Sequence, residues 1–460
     1  MIDISNRNTI DIRDKNITVI GLGLSGTASA KLANHLGARV FASDPSDNYH
    51  ICNNAMMLLE HHIASETGLH SDKIYDSELW VISPGIPKNS PIIQKAQEIG
   101  IPIVSEIEFA SWFTNSPIIA VTGSNGKTTT VNILYKMCQS DRINTLMAGN
   151  IGIPFSSRVL DERTNPKKNS TYILEISSFQ MEFVKHFHPK IAVYTNLSAD
   201  HLDRHGTMDE YINMKLEMVK NMGPGDHIVY NADDPQLNVL FKDNNTNLKP
   251  FSISQSGMTY SLDSKYINSV HGEKIIALEE ISLHGQHNLL NILAAATTSN
   301  IMGILNQQIA DVMKNFTGIE HRLEKVATID GIIYINDSKA TNLESVNAAI
   351  DSFDIPIILI LGGRNKGADF RLLLPHIKSS HVRDIVSYGE AGEHILNAIG
   401  DAVRSVQVTD LNSAVERART LATPGDVVLL SPGCASFDEF SNFEERGEYF
   451  KSRVLRLKDL

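Results

Sequence analysis

Pro117-Ile-Ile-Ala-Val-Thr-Gly-Ser-Asn-Gly-Lys-Thr-Thr129 decides how this 460-residue chain is read. Its first part, Pro117 to Val121, is a short continuous apolar run, the mark of a strand buried on both faces. The run passes directly into Gly123-Ser-Asn-Gly-Lys-Thr128, and the periodicity beyond it predicts a helix through about Gln139. Glycines there let backbone N–H groups turn toward a phosphate with no side chain in the way. The helix start adds its partial positive charge. Lys127 can reach the β- and γ-phosphates, and Thr128 can ligate Mg²⁺. Where the full Walker pattern has its first glycine, this chain has Val121. The plain alternative is a structural turn that happens to contain Gly-Lys-Thr, but a strand before and a helix after favour phosphate binding.

Outward from this loop, short apolar runs alternate with helix-period segments along nearly the whole chain, the pattern of α/β domains with mainly parallel sheets. Length alone suggests about three domains at roughly 150 residues each, and the alternation falls into three blocks. The first opens with a strand at Ile17-Thr-Val-Ile20, then Gly21-Leu-Gly-Leu-Ser-Gly26, a helix to about Leu36 and a strand at Arg39-Val-Phe-Ala42, with Asp44 just past it. A further strand, Leu79-Trp-Val-Ile82, precedes the turn Ser83-Pro-Gly85. The second block begins at Pro117, with further strands expected at 172–176 and 191–196, polar surface loops at 161–170 and 242–249, and a Leu- and Ala-rich helix over 287–299. The third starts near Gly318, with strands at 332–335, 357–361 and 426–430.

Several loops after strands carry chemistry-bearing residues. Gly21-x-Gly-x-x-Gly26 with Asp44 is compatible with a dinucleotide site, with the diphosphate of a UDP-sugar, or with close strand–helix packing alone. Glu175, at a strand's C-terminal end near the phosphate loop, can reach a bound Mg²⁺. Asp200-His-Leu-Asp-Arg-His205 gathers two imidazoles, two carboxylates and a guanidinium. Lys215 lies on a predicted helix, where most lysines are merely solvated. In the third block Asn336-Asp-Ser-Lys-Ala-Thr-Asn342, Gly362-Gly-Arg-Asn-Lys-Gly367 and Ser431-Pro-Gly-Cys-Ala-Ser436 each follow a strand. Each alone reads as a turn; together, at the edge where α/β domains place ligands, they point to a site.

Bulk properties narrow the classes. The hydrophobic fraction is 42%, the charged fraction 20% and the net charge −12. No Lys/Arg block marks a nucleic-acid binder. Cys52, Cys138 and Cys434 are scattered, which favours reduced thiols over disulfides or zinc. The polar start lacks the pattern of a signal peptide and no run is long enough for a membrane span, so a cytoplasmic location is expected.

With those motifs in place, the chain resembles the Mur ligases, ATP-dependent amide-forming enzymes of peptidoglycan synthesis, over nearly its whole length and in motif order. The phosphate loop preceded by Ala-Val-Thr and the segment Gly285-Gln-His-Asn-Leu-Leu-Asn291 have the family's form. The Gly21–Gly26 start, Ser83-Pro-Gly-Ile86, Leu174-Glu-Ile-Ser-Ser-Phe-Gln180, the 336–342 loop and Ser436-Phe-Asp-Glu-Phe-Ser-Asn-Phe-Glu-Glu-Arg-Gly447 are similar to the member that adds D-glutamate. The resemblance implies three domains: a Rossmann-like UDP-sugar domain (1–105), a central P-loop ATPase domain with a mostly parallel sheet (106–318) and a Rossmann-like amino-acid domain (319–460).

It also implies the reaction, D-glutamate joined to UDP-N-acetylmuramoyl-L-alanine at the expense of ATP through an acyl phosphate, by a monomer with two Mg²⁺ sites. Gly123, Ser124, Asn125, Gly126, Lys127, Thr128, Thr129, Asn291, Arg322, Asp337 and Lys339 are then expected to bind ATP. Leu24, Ser25, Asp44, Ser83, Gly85, Asn150 and Gln180 would line the UDP-sugar path. Thr341, Lys366, Ser436 and the backbone of Phe443 would hold D-glutamate. Thr128, Glu175, His201 and Lys215, the last as a carbamate, would serve the metals, with Ser177 in support. Lys127, His201, Lys215 and Arg322 would be the catalytic set. The rivals are a folyl-polyglutamate synthase, an NAD-dependent dehydrogenase and a non-enzymatic nucleotide-binding regulator. The third-block loops, the phosphate loop and the joint retention of Lys127, Glu175, His201, Lys215 and Lys366 argue against them in turn.

Overall fold

The computed structural model describes residues 1–140, 143–167, 169–198, 202–241, 246–365 and 368–459. They form two compact units, Met1–Phe316 and Thr317–Leu460.

The first unit carries two parallel sheets. One has five strands in the order Ala64–Thr67, Arg39–Asp44, Asn16–Ile20, Leu79–Ile82, Ile103–Ser105. Its order reverses beside Asn16–Ile20, so the loops after that strand and after Leu79–Ile82 diverge and leave a crevice at the carboxyl edge. The other has six strands in the order Asn247–Phe251, His227–Asn231, Ile191–Tyr194, Ile118–Thr122, Ser170–Glu175, Asn144–Gly149. Ile118–Thr122 and Ser170–Glu175 are buried at every position, as strands covered on both faces must be. A small antiparallel sheet, Tyr260–Leu262, Tyr266–Ser269 and Lys274–Ala277, completes the unit. The helix Lys127–Cys138 packs on Gln286–Ile301, and Val131, Leu134 and Met137 of the first share one buried cluster with Ala294, Ala295 and Ala296 of the second.

The second unit is a six-stranded sheet in the order Glu324–Ile329, Ile332–Asn336, Val427–Gly433, Ile357–Gly362, Val382–Tyr388, Arg404–Gln407, with Glu324–Ile329 antiparallel at one edge. The α/β class and the parallel sheets are as expected. Among the described residues no helix is long and apolar enough to cross a membrane, and none of the three cysteines is in a disulfide.

Three expected loops differ. The 161–170 stretch is half helix: Phe155–Thr164 continues four residues into it because Phe155, Ser156 and Val159 anchor that helix in the core. The 242–249 stretch ends in the strand Asn247–Phe251, whose polar residues suit a sheet edge with one partner; 242–245 lie outside the described residues. The 431–436 loop begins later than expected, since the strand runs through Pro432 to Gly433. Pro432 is tolerated inside a sheet because the pairing to Ile332–Asn336 stops at Leu430 and the other ladder shifts register between Ile360 and Gly362.

Candidate active site

The phosphate loop leaves the sheet between Glu175 on one neighbouring strand and Thr195-Asn196 beyond the other. Side chains from the latter fix its shape. Asn125 N–H donates to Asn196 Oδ1 (2.9 Å), and Thr195 Oγ1 donates to the Asn125 carbonyl (2.6 Å). Ser124 Oγ donates to the Ser198 carbonyl (2.8 Å) and lies 2.9 Å from Tyr211 OH. Gly126 has φ +82°, and a Cβ there would meet Asn291 Oδ1 at 2.2 Å. Glycine is therefore required twice, for a left-handed backbone and for the approach of Asn291. That amide is buried, with its Oδ1 accepting from Thr130 Oγ1 at 3.3 Å. Thr128 is buried at the helix start and Thr129 half-buried beside it.

Two ammonium groups converge on the same loop. Lys127 Nζ donates to the carbonyls of Gly123 (2.9 Å) and Ser124 (2.7 Å). Lys215 is 2% exposed, not the solvated lysine its helix position suggested. Its Nζ donates to the Gly123 carbonyl (2.9 Å) and Thr122 Oγ1 (3.3 Å) and sits 4.7 Å over the Tyr211 ring.

Glu175 closes the other side. Asn150 Nδ2 donates to its Oε1 (2.9 Å), and Asn150 N–H donates to its carbonyl (2.8 Å). Its Oε2 is buried with no hydrogen-bond partner among the described residues. A buried oxygen left that way costs free energy unless a cation, a donor or water meets it, so the oxygen donors here fit a hard, oxygen-binding cation such as Mg²⁺. Gln180 turns its Oε1 onto the Ser177 N–H (2.9 Å) and hydroxyl (3.2 Å), which folds the chain back after Glu175.

In the Asp200–His205 run, His201 lies outside the described residues. His205 is a packing residue: it is buried, its Nε2 is 2.8 Å from Ser178 Oγ and its ring stacks on Phe179. Arg204 is a strap, donating to the Gly85 (3.3 Å) and Ile86 (3.0 Å) carbonyls and to Glu182 (3.1 Å). It ties the turn after Leu79–Ile82 to the segment following Glu175.

At the first sheet's crevice, Ser83 Oγ donates to the Gly21 carbonyl (3.2 Å), and Asp44 Oδ2 accepts from Leu22 N–H (2.7 Å). Asp44 ends its strand instead of lying beyond it. Its other oxygen accepts from Ser46 N–H (2.9 Å), so this carboxylate braces two loops. A Cβ on Gly26 would strike the Gly21 carbonyl oxygen at 1.7 Å; close strand–helix packing alone requires glycine there. Leu24 is largely exposed at the helix start and Ser25 is half-buried beside it.

In the second unit Asp337 is buried at the end of Ile332–Asn336. Its Oδ2 accepts from Ser431 Oγ (2.8 Å) and its Oδ1 from Leu323 N–H (3.2 Å). Burial pushes its carboxyl up to about 7 despite those bonds and the nearby Arg322 and Lys339. Arg322 is exposed; Lys339 and Thr341 are half-buried. Ser436 is buried, and Phe443 opens the helix Phe443–Arg456 behind the cap Asn442. Lys366 lies outside the described residues, and its neighbour Arg364 is committed to an exposed bidentate pair with Glu390 (2.9 and 2.7 Å).

Sequence reasoning passed over Arg446. Fully buried, it donates to Ser338 Oγ (2.9 Å), the Ser338 carbonyl (2.8 Å) and the Cys434 carbonyl (3.1 Å), while Ser338 Oγ donates to the Phe443 carbonyl (2.8 Å). It thus knits the 336–342 loop, the 433–436 turn and the last helix. An arginine in a charged helix start gives no warning of this; only the fold shows it pointing inward.

Strands feeding a glycine-rich loop that opens a helix, with a buried acid beside it, are the arrangement of a nucleotide-binding α/β protein. Family models match along the chain: the Mur ligase MurD-like N-terminal domain over residues 15–105, the Mur ligase middle domain over 121–299 and the Mur ligase glutamate ligase domain over 321–434. The UDP-N-acetylmuramoylalanine–D-glutamate ligase of Salinibacter ruber is 37% identical, covering 96% of this chain and 98% of its own. That of Christiangramia forsetii is 39% identical, covering 96% and 100%. Among solved structures, the MurF ligase of Thermotoga maritima in complex with ADP superposes with a TM-score of 0.55 at 16% identity, covering 99% of this chain and 98% of that one. The chain belongs to the Mur ligase family.

Proposed function

We propose that the chain is the ATP-dependent ligase that adds D-glutamate to UDP-N-acetylmuramoyl-L-alanine in peptidoglycan precursor synthesis. The near-full-length similarity to ligases bearing that name supports the substrates. The observation that carries the chemistry is the phosphate loop with Lys127 set beside the open, buried oxygen of Glu175. In this reading the chain divides into UDP-sugar, ATP and amino-acid domains at 1–105, 106–318 and 319–460.

A carboxylate oxygen of the substrate's L-alanine attacks the γ-phosphorus of ATP, the bond to the ADP oxygen breaks, and an acyl phosphate forms. The D-glutamate nitrogen then attacks the acyl carbon, phosphate leaves with the bonding pair and the amine gives up a proton. For the first step the protein's work is positioning and charge neutralisation. The N–H groups of the 123–128 loop that Asn196 does not already hold, with the helix start, cradle phosphate oxygens, and Lys127 exchanges its carbonyl partners for phosphate. Asn291, held against Gly126, meets the base; Arg322, Lys339 and Asp337 complete nucleotide contacts. Thr128 and Glu175 would hold one Mg²⁺, with His201 and a carbamate on Lys215 supporting a second. Bound there, the ions would offset charge on the transferring phosphoryl group. Leu24, Ser25, Asp44, Ser83, Gly85, Asn150 and Gln180 are assigned to the UDP-sugar, and Thr341, Lys366, Ser436 and the Phe443 N–H to D-glutamate. A cytoplasmic, monomeric enzyme is part of the same proposal.

The test is phosphate release with ATP, Mg²⁺ and UDP-N-acetylmuramoyl-L-alanine while D-glutamate, L-glutamate, glycine, L-alanine or diaminopimelate is added in turn. Release that depends on D-glutamate, with a product mass showing the new amide, is expected. Release with another amino acid overturns the substrate, and release with none overturns the reaction.

A further inference from the structure

At the amino edge of the central sheet, the end away from the phosphate loop, lies a cavity of about 300 Å³. Its walls include Arg7, Ser116, His186, His188, Lys190 and Asp226. Two of these are permanent cations and two are imidazoles, in a chain whose net charge is −12. They are fixed in place. Arg7 Nη2 donates to the carbonyls of Ser111 (2.8 Å) and Thr114, which end the preceding helical segment. His186 Nε2 lies 2.8 Å from the Ile4 carbonyl oxygen, which can only accept. His188 Nε2 lies 2.7 Å from Asp226 Oδ2, and Lys190 Nζ donates to Asp226 Oδ1 at 3.1 Å.

The cavity's acid is already spoken for. Asp226 is buried and also accepts from Gly223 N–H (2.8 Å). Burial would raise its carboxyl, but the hydrogen bonds from Gly223, His188 and Lys190 outweigh that and hold it below the usual range. It therefore stays ionised and acts as the clamp that aligns His188 with Lys190. Two further acids lie nearby and are also engaged: Glu162 takes the hydroxyl hydrogens of Thr114 and Ser116, and buried Glu108 accepts from the N–H groups of His186 (2.7 Å) and Phe187 (2.8 Å) and from Trp112 Nε1 (2.7 Å). What remains turned to no protein partner among the described residues is the donor capacity of Arg7 at Nε and Nη1, beside the Nδ1 atoms of the two histidines. A guanidinium with a free edge suits a tetrahedral dianion, and it shares the cavity with the ammonium of Lys190, which donates to the Gly225 carbonyl and Asp226 and has a third N–H to give.

We propose that this cavity binds a phosphate-class dianion at a site separate from the phosphate loop. Arg7 and Lys190 hold its charge from two sides and the histidines complete the shell. A groove of about 620 Å³ shares Arg7, Thr114 and Asn115 with the cavity and contains Arg13, Arg163 and Phe113. It offers room for the organic part of a phosphate ester. Ile118 lines the cavity and begins the strand whose other end, Thr122, enters the phosphate loop.

Crystals of the full chain soaked in tungstate, a strongly scattering tetrahedral dianion, locate the site directly. An anomalous peak between Arg7 and Lys190 is expected, beside one at the phosphate loop that serves as an internal control. In Lys190→Glu the cavity peak should vanish while the control persists. A peak at the phosphate loop alone, or a cavity peak that survives Lys190→Glu, overturns the proposal. Arg7→Met should act likewise, but Arg7 also ties down the amino-terminal segment, so the half-exposed Lys190 is the deciding position. In solution, inorganic phosphate is titrated calorimetrically into protein saturated with ADP. Affinity should fall at least about tenfold in Lys190→Glu, the size of one charge-assisted hydrogen bond. Absence of binding to the unsubstituted chain, or binding unchanged by the substitution, overturns the proposal. A nucleoside monophosphate titrated in parallel tells an ester from free phosphate.

Discussion

Gly126→Ala tests how tightly the phosphate loop and Asn291 are fitted together. The new methyl group would stand 2.2 Å from Asn291 Oδ1 and 3.1 Å from its Cγ, on a backbone with φ +82°. Left-handed backbone costs a non-glycine residue about 1–2 kcal/mol. The contact is too short to survive, so Asn291 must also swing away and give up the bond from Thr130 Oγ1. A hydrogen bond lost inside the protein adds about 1 kcal/mol. The substitution should therefore destabilise the Met1–Phe316 unit by roughly 2–3 kcal/mol, read from the shift of the urea unfolding midpoint. ADP affinity, read by calorimetry, should fall as well. The reasoning predicts a coupling. In an Asn291→Ala background the clashing amide is gone, and Gly126→Ala should cost only the backbone part, about 1–2 kcal/mol. An equal cost of Gly126→Ala in both backgrounds would refute the fit between the two residues.

Glu106 supplies a pH prediction. It is fully buried, its Oε1 accepts from Ser156 N–H (2.6 Å), its Oε2 has no partner among the described residues, and burial pushes its carboxyl up to about 7. The folded state holds that proton where the unfolded chain, near 4.5, has lost it. Stability should thus fall as pH rises from about 4.5 to about 7. Glu106→Gln should abolish that slope and leave the variant more stable than the parent at pH 8 by a few kcal/mol, measured by urea unfolding from pH 5 to 8; equal slopes would sink the idea. Arg446→Met strips the donors from the Ser338 and Cys434 carbonyls and should destabilise the Thr317–Leu460 unit by about 2–4 kcal/mol, visible as an earlier thermal transition. Glu175→Gln keeps the Asn150 contact but removes the charge, and should raise the Mg²⁺ concentration needed for half-maximal phosphate release at least about tenfold. An unchanged Mg²⁺ requirement would remove Glu175 from the metal.

Much of the fold is legible because its parallel strands are buried on both faces and therefore read as unbroken apolar runs, as at Ile118–Thr122 and Ile357–Gly362. Glycine-bearing loops just past such runs mark the carboxyl edges, so the phosphate loop, Glu175 and the 336–342 loop could be placed without coordinates. Legibility fails where a residue's role depends on a partner distant in sequence. Arg204 and His205 looked chemical by composition but serve as a strap and a stacking surface. Lys215 is singled out only by resemblance, since nothing in its helix tells it from a solvated lysine; the fold buries it under Tyr211 and the loop carbonyls. Arg446 and Glu106 carry no local signal, because the groups that make them matter lie elsewhere in the chain. Edge strands fail differently: Asn247–Phe251 needs only one hydrogen-bonded neighbour and can be as polar as a loop.

Lys127 rests on the carbonyl oxygens of Gly123 and Ser124, in the loop proposed to receive phosphate. In that proposal nucleotide arrival would be a swap of acceptors, with the ammonium leaving fixed backbone dipoles for mobile anionic oxygens. The lysine's net contribution to affinity would be the difference between those two settings, smaller than its contacts in a bound complex would suggest. Much of its value would appear only as negative charge builds on the transferring group, where the backbone carbonyls can no longer compete. The loop would then keep its lysine on a short leash and release it to the stronger acceptor.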